Sequence, residues 1–235
     1  MYLDKDRYIL RALELAGMPV FNGYETVTVC DDKMLTALAL AKAGVPQPDT
    51  LPGPLCYRSE AALGKDTYAR MARLLGEPFV VKESFSSLGA GVHLIGGEEE
   101  FAALWEQIKL RPWLAQAYVA ESRGRDVRVI VVGGRALGGM LRQSGGTDFR
   151  SNVAAGGSAA AFPLDDALRT LAERAAAAVG AAFCGVDVLF GKDGYLVCEV
   201  NSNAYYGAFE RATGQNVAGA YADYILHSLC GRAAQ

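Results

Sequence analysis

Two periodicities alternate along the chain: stretches whose apolar residues recur every three or four positions, and shorter ones whose apolar residues crowd together or alternate. Over 4–16, Ile9, Leu10 and Leu13 share one helical face, and Gly17 with Pro19 ends the pattern. After a short turn a second helix runs to Lys42; Asp31 or Asp32 caps its start, and Gly44 and Pro46 stop it. The spacing predicts a third helix over 59–75, the compact strand PFVVKES, the glycine-rich SSLGAGVHLI, and an acidic-capped helix from 98 to about 109. Strands follow at 113–119, 126–132 and 135–142, the last two joined through Gly133 and Gly134 as a tight hairpin. A polar, glycine-rich stretch over 143–158 breaks the pattern. An alanine-rich helix over 165–178 precedes strands at 183–190 and 195–200, turned by GKDG, and a final helix covers 217–229. Strands in hairpins and in helix-linked units together predict an α+β fold with largely antiparallel sheet, in two lobes dividing near Gln116.

Composition narrows the function classes. At 235 residues the chain is long enough for one large domain or two lobes with an ample core. A net charge of −3, from 23 basic and 26 acidic residues, provides no basic field for nucleic acid. No apolar run reaches membrane-spanning length, and Met1 is followed by the charged Asp4, Lys5, Asp6 and Arg7 rather than an apolar signal region. The five cysteines, at 30, 56, 184, 198 and 230, form no CxxC pair and no zinc-type spacing, so reduced thiols in a cytoplasmic protein are expected. There is no internal repeat and no heptad run.

Three clusters carry candidate chemistry. Asp187 and Glu199 each lie six residues from Asp193, so a turn centred there places them opposite each other across a hairpin. Asn201 lies one pleat further along, and three hard oxygen donors suit Mg²⁺ or Mn²⁺. The alternative is a pair of solvated strand-end carboxylates and a turn amide, and a register slip of one residue separates the two readings. The second cluster is Lys82 at the end of a short apolar strand, followed by Ser84, Ser86, Ser87, Gly89 and Gly91. Such a loop offers backbone N–H groups without bulk and the lysine a compact charge, both suited to phosphates. Its glycine spacing matches neither the P-loop nor the dinucleotide fingerprint, and the alternative is an ordinary turn. The third cluster is Arg128, Arg142 and Arg150 with Asn152. Arg128 shares strand parity with Asp126, Ile130 and Val132, so it lies on a face with apolar neighbours and needs an anionic partner. Each arginine alone reads as solvated; together they read as a clamp for transferring phosphate and carboxylate.

The order of these segments, with QAYV, GRDVRVIVVGG, TDFRSNVAAGG, GVDVLF and CEVNSN, resembles the ATP-grasp fold and, within it, the RimK-like amino-acid ligases, over about 31–225. The resemblance implies that Lys82 contacts the nucleotide phosphates beneath the loop bearing Ser86, Ser87 and Gly89, and that Lys33 is a second, earlier nucleotide lysine. Gln116, Ala117, Tyr118 and Val119 correspond to the interlobe segment at the adenine edge, Asp126 to a nucleotide-contacting acid, and Arg150, Ser151 and Asn152 to the loop that closes on the site. Asp187, Glu199 and Asn201 correspond to metal ligands, with Glu199 bridging two Mg²⁺ (or Mn²⁺) ions, and Arg128 and Arg142 to catalytic cations on the transferred phosphoryl group. The activity implied is an ADP-forming ligation in which ATP phosphorylates a carboxylate and an amine displaces phosphate, adding an amino acid such as glutamate to a peptide or small metabolite. A phosphotransferase on the same fold and a nucleotide-binding regulatory protein are the alternatives. No side-chain nucleophile is required, and His93 and His227 read as structural.

Two features depart from the family pattern. After CEVN the chain reads SNAYYGAFERATG in place of a small proline-containing loop, and Tyr205, Tyr206, Phe209 and Glu210 either shape the substrate pocket or pack beneath the last helix. At the front, 1–30 resembles only the last helix and strand of an α/β domain, giving expected units of 1–30, 31–115 and 116–235. Ile9, Leu10 and Leu13 then need another partner, such as a second subunit in a homo-oligomer, unless the true start lies upstream.

Overall fold

The computed structural model describes residues 7–87, 89–146, 149–151 and 156–233. Three helices come first: α1 (Arg7–Leu15), α2 (Tyr24–Asp31) and α3 (Lys33–Lys42). Asp32, not Asp31, caps α3, its carboxylate accepting from the N–H groups of Met34 (2.9 Å) and Leu35 (3.3 Å). Helix α2 lies where a short turn, or the strand of a preceding domain, was expected. The run TVTVC favours a strand by propensity, but Thr26, Val27 and Cys30 are buried on one helical face, and the Thr26 hydroxyl donates to Gly180 O (2.9 Å). Tertiary burial thus overrides a weak local preference. In α1, Leu10 is buried while Ile9, Tyr8 and Leu15 are exposed.

The smaller sheet has the order β1-β4-β2-β3, built from β1 (Thr50–Pro52), β2 (Phe79–Glu83), β3 (Val92–Ile95) and β4 (Trp113–Ala117), with all neighbours antiparallel. Helices α4 (Thr67–Leu75) and α5 (Glu98–Ile108) cover it, and Tyr68, Phe79, Phe101, Trp105 and Trp113 form its core. The helix expected over 59–75 starts only at Thr67, after the helix-disfavouring Gly64, while Ala61 and Leu63 pack against the core from the preceding non-helical stretch. The division expected between 115 and 116 falls inside β4, so the chain leaves this sheet after Ala117.

The larger sheet has the order β7-β6-β5-β8-β9: β5 (Arg125–Val132), β6 (Arg135–Gln143), β7 (Ser158–Phe162), β8 (Phe183–Gly191) and β9 (Gly194–Asn201), again antiparallel. Strand β7 is an addition to the sequence reading; a mostly exposed edge strand of alanines leaves little alternation to detect. Helix α6 (Asp166–Ala178), capped by Asp165 on Leu168 N (2.7 Å), lays Ala172, Ala175 and Ala176 against a face of valines at 127, 129, 131, 186, 188, 197 and 200. Helices α7 (Gly207–Thr213) and α8 (Val217–Ala233) pack with Ile130, Val132, Met140 and Phe183 on the opposite parity. Among the described residues no helix is long and apolar enough to cross a membrane.

Candidate functional site

The β8–β9 hairpin shows how an expected register is reached by an unexpected route. The turn pairs Gly191 with Gly194, so it is centred between Lys192 and Asp193, half a residue from the Asp193 centre the spacing suggested. Continued unbroken, that ladder would set Asp187 opposite Cys198 and turn Glu199 to the other face. A bulge between Asp187 and Val188 absorbs Cys198 as an extra residue: Val188 faces Val197, while Asp187 faces Glu199 and Gly185 faces Asn201. The bulge therefore keeps the two carboxylates and the amide on one side. Asn201 Nδ2 donates to Asp187 Oδ2 (3.3 Å).

Asp187 is 5 % exposed, and two arginines compensate it. Arg128 forms a fork with both its oxygens, Nε to Oδ1 and Nη2 to Oδ2, each at 2.7 Å. Arg142 Nη2 lies 2.9 Å from Asp187 Oδ2 and makes a second fork to Asp126 through Nε (2.7 Å) and Nη2 (2.5 Å). The Ser151 hydroxyl donates to Asp126 Oδ2 (2.6 Å). Two buried carboxylates are thus met by two half-buried guanidinium groups, of which they share that of Arg142. Burial alone would raise the Asp187 carboxyl, but Arg128 and Arg142 outweigh it and hold it at about 2. For Asp126 burial prevails, pushing the carboxyl upward against Arg142 and Ser151. Gly185 makes room for this network: a Cβ there would stand 2.6 Å from that of Ala204 and 3.5 Å from the Arg128 side chain.

Across the cleft, Lys82 Nζ donates to Gln116 Oε1 (2.7 Å) and lies 3.5 Å from Cys198 Sγ, while Gln116 Nε2 donates to Thr50 Oγ1 (2.9 Å). Lys33 Nζ donates to Ser86 O and approaches Glu199 Oε1 to 3.5 Å, joining the serine-glycine loop to the hairpin. Gly89 and Gly91 have φ of +78° and +66°, a turn geometry that glycine adopts at little cost. Arg150 Nη1 donates to Gly89 O (2.7 Å), so the second loop reaches the first. In the expected adenine segment, Ala117 N donates to Asp49 O (2.8 Å), Val119 O accepts from Ser122 N (3.1 Å), and the Tyr118 ring meets Phe149 edge-on at 6.2 Å. Asn152 lies outside the described residues.

Lys33, Ser86, Ser87, Glu199 and Asn201 line one open cavity of about 180 Å³, together with Cys30, Asp31, Phe85, Ser202 and Asn203. Sequence reasoning gave no site role to these last five, although Ser202 and Asn203 lie within CEVNSN, nor to Cys198 of the same segment or to Thr50. Burial pushes the Cys30 thiol up to about 12 and raises that of Cys198, so neither is set up as a thiolate. Of the loop residues offered for the pocket, none lines this cavity. Phe209 is fully buried, Tyr206 packs edge-on against Phe183 at 6.0 Å, and Glu210 Oε1 accepts from Val217 N (2.8 Å) at the start of α8. Packing beneath the last helix is the reading these three positions support.

The donor set fits a hard divalent cation. Glu199 and Asn201 face the cavity, and an ionised carboxylate has two acceptor positions on each oxygen. Asp187 Oδ2 already accepts from Arg128, Arg142 and Asn201, but Oδ1 accepts only from Arg128 among the described residues and retains a position for an ion.

The model of the RimK-like ATP-grasp domain matches residues 30–225. Beta-citrylglutamate synthase B of Danio rerio is 38% identical over 234 residues, covering 97% of this chain and 56% of that protein. N-acetylaspartylglutamate synthase A of Homo sapiens is 36% identical, covering 97% and 58%. The chain thus spans a little over half the length of these relatives. A probable alpha-L-glutamate ligase of Maridesulfovibrio salexigens is 32% identical over 219 residues, covering 92% of this chain and 70% of that one. Among solved structures, the D-alanine–D-alanine ligase of Bacillus anthracis complexed with ATP superposes with a TM-score of 0.73 at 17% identity, covering 96% of this chain and 75% of that one. The ATP-grasp ligase PsnB complexed with minimal precursor, Mg and ADP gives 0.68 at 22%, covering 94% and 66%. The two antiparallel sheets and the cleft are those of an α+β ATP-grasp fold, and with a family match across most of its length the chain belongs to the RimK-like ATP-grasp domain family.

Proposed function

We propose that this protein is an ATP-dependent carboxylate–amine ligase that joins an amino acid, glutamate in the first instance, to a small carboxylate. The observation that carries the reading is the convergence of Asp187, Glu199 and Asn201 with two half-buried guanidinium groups, beside a cavity walled by Lys33 and the serine-glycine loop. Glutamate and a small polycarboxylate are chosen because the names of two relatives, a citrylglutamate and an N-acetylaspartylglutamate synthase, both describe such products.

In this reading ATP lies between the two sheets, which act as the gripping lobes. Lys82, Lys33 and the backbone of Ser86, Ser87 and Gly89 hold its phosphates; 116–119 lies along the adenine, and Asp126 with Arg150, Ser151 and Asn152 closes over it. Asp187, Glu199 and Asn201 would hold Mg²⁺ or Mn²⁺, as two ions. The bound metal supplies charge neutralisation and orientation at the phosphates. Arg128 and Arg142 each use Nε and Nη2 on the carboxylates, which among the described residues leaves Nη1 for phosphoryl oxygens. A substrate carboxylate oxygen attacks the γ-phosphorus, the bond to the β-γ bridging oxygen breaks, and ADP leaves. The amine nitrogen then attacks the acyl carbon, loses a proton, and the carbon–oxygen bond to phosphate breaks. A free carboxylate would only form a salt with the amine, so phosphorylation supplies the leaving group. Positioning by these residues carries most of the remaining rate. The reduced cysteines fit a cytoplasmic setting.

The test is ADP release with ATP, Mg²⁺, glutamate and either citrate or N-acetylaspartate, with mass spectrometry of the product. The reading expects release that requires both organic substrates, a product heavier than the acid by one glutamyl residue, and loss of both in Glu199→Ala. ADP release with no amide formed, or none with any pair, would overturn it.

A further inference from the structure

Three segments far apart in sequence meet at the side chain of Asn22. Its Oδ1 accepts from the N–H groups of Ala182 (2.7 Å) and Phe183 (3.1 Å), and its Nδ2 donates to the carbonyls of Phe183 (2.6 Å) and Ser202 (2.9 Å). A carboxamide has two acceptor positions and two N–H groups, so this one is used to capacity, entirely by backbone. The pattern also fixes which end is oxygen, since two donors face one atom and two acceptors the other. No other standard side chain of that length offers both halves: Asp cannot donate and Leu can do neither.

The partners give the clasp its meaning. Phe183 opens β8, and Ser202 directly follows Asn201, the last residue of β9. Gly185 and Asn201 form the last pair of that ladder, so beyond Asn201 the chain leaves the sheet's own hydrogen bonds, and Asn22 receives the buried Ser202 carbonyl in their place. Asn22 is itself held from both sides. The Tyr221 hydroxyl donates to Phe21 O, Glu14 Oε1 accepts from Tyr24 N (2.7 Å), and Phe183 stacks on Tyr221 at 5.0 Å. The corner at 201–203, two of whose side chains line the cavity next to Asn201, is therefore set by a residue from the front of the chain.

We infer that Asn22 is a positioning residue: it fixes the corner after β9 so that Asn201 stays in the oxygen set with Asp187 and Glu199. The inference rests on the metal reading proposed above. Groups that orient a metal ligand are typically worth about 10- to 100-fold in metal affinity. A purely structural tie would behave differently, and Thr26 provides the comparison. Its hydroxyl donates to Gly180 O (2.9 Å), anchoring the same front segment to the turn before β8 rather than to 201–203.

The test is Mn²⁺ binding in the presence of saturating ADP, followed by the paramagnetic resonance signal of free Mn²⁺, with thermal melts in parallel. Asn22→Asp keeps the acceptor and sets a carboxylate oxygen against two carbonyls; Asn22→Ser keeps a polar group with less disturbance and decides the matter if the aspartate variant does not fold. Both are expected to bind Mn²⁺ about tenfold more weakly, whereas Thr26→Ala melts earlier but binds Mn²⁺ as the wild type does. Folded Asn22 variants with wild-type affinity overturn the inference and leave the metal reading intact. A wild-type protein that binds no Mn²⁺ overturns both.

Discussion

Replacing Arg142 by Met keeps most of the side-chain length and removes the charge that two buried carboxylates share. Three charge-assisted contacts are lost: two to Asp126, at 2.7 and 2.5 Å, and one to Asp187, at 2.9 Å. Asp187 keeps the Arg128 fork, but Asp126 keeps only the Ser151 hydroxyl among its described side-chain partners while remaining 5 % exposed. Removing one partner of a buried pair costs about 3–5 kcal/mol, a large share of the roughly 5–15 kcal/mol that separates a folded domain from its unfolded chain. The pH dependence follows from the direction in which Asp126 is pushed. Burial already raises its carboxyl, and without Arg142 it rises further. A group raised in the folded state favours folding when protonated, so stability falls as pH climbs through the folded value and recovers toward the unfolded carboxylate value near 4. Urea unfolding by circular dichroism should therefore show a deficit of about 3–5 kcal/mol at neutral pH that shrinks toward pH 5. A deficit below about 1 kcal/mol, the scale of an exposed pair, or one unchanged over that range, would refute the shared-cation account.

Other substitutions separate packing from chemistry. Glu210→Ala removes the acceptor for Val217 N at the start of α8 and should lower stability by about 1 kcal/mol, with the apparent ATP affinity unchanged; a large affinity change would return Glu210 to the pocket. Gly185→Ala drives a methyl toward Ala204 and the stem of Arg128, and should cost about 1–3 kcal/mol together with nucleotide-dependent activity; a neutral effect on both would show that the space is not needed. Acid unfolding should carry the mark of Asp187: its folded carboxyl is held at about 2, so the stability it contributes is present above about 4 and lost as pH falls toward 2. Asp187→Asn should remove that limb of the pH profile, and a profile unchanged in the variant would count against the pairing.

How much was legible in advance depended on whether local pattern or tertiary burial decided each residue. The valine alternation of β5, β8 and β9 and the parity of Arg128 were readable because a strand's period of two survives in any context. Helix α2 was not, since β-branched residues there pack as a helix face only against a partner the sequence does not display. The metal-type pair shows a mixed case. Asp187 and Glu199 do face each other, but through a bulge at Cys198 that no count from the turn reveals. The cavity wall at Asp31, Phe85, Ser202 and Asn203 escaped for a different reason, since its residues come from the end of α2 and from loops brought together only in the fold. Asn22 is the extreme instance, a single polar residue whose four partners lie 160–180 positions away.

The central claim is that a carboxylate is phosphorylated before the amine attacks, and oxygen tracing tests it most directly. With both carboxylate oxygens of the acid labelled with ¹⁸O, one labelled oxygen should leave with the released phosphate for each amide formed, because the carbon–oxygen bond to the phosphoryl group is the one that breaks. Phosphate carrying no label while amide accumulates would contradict the account.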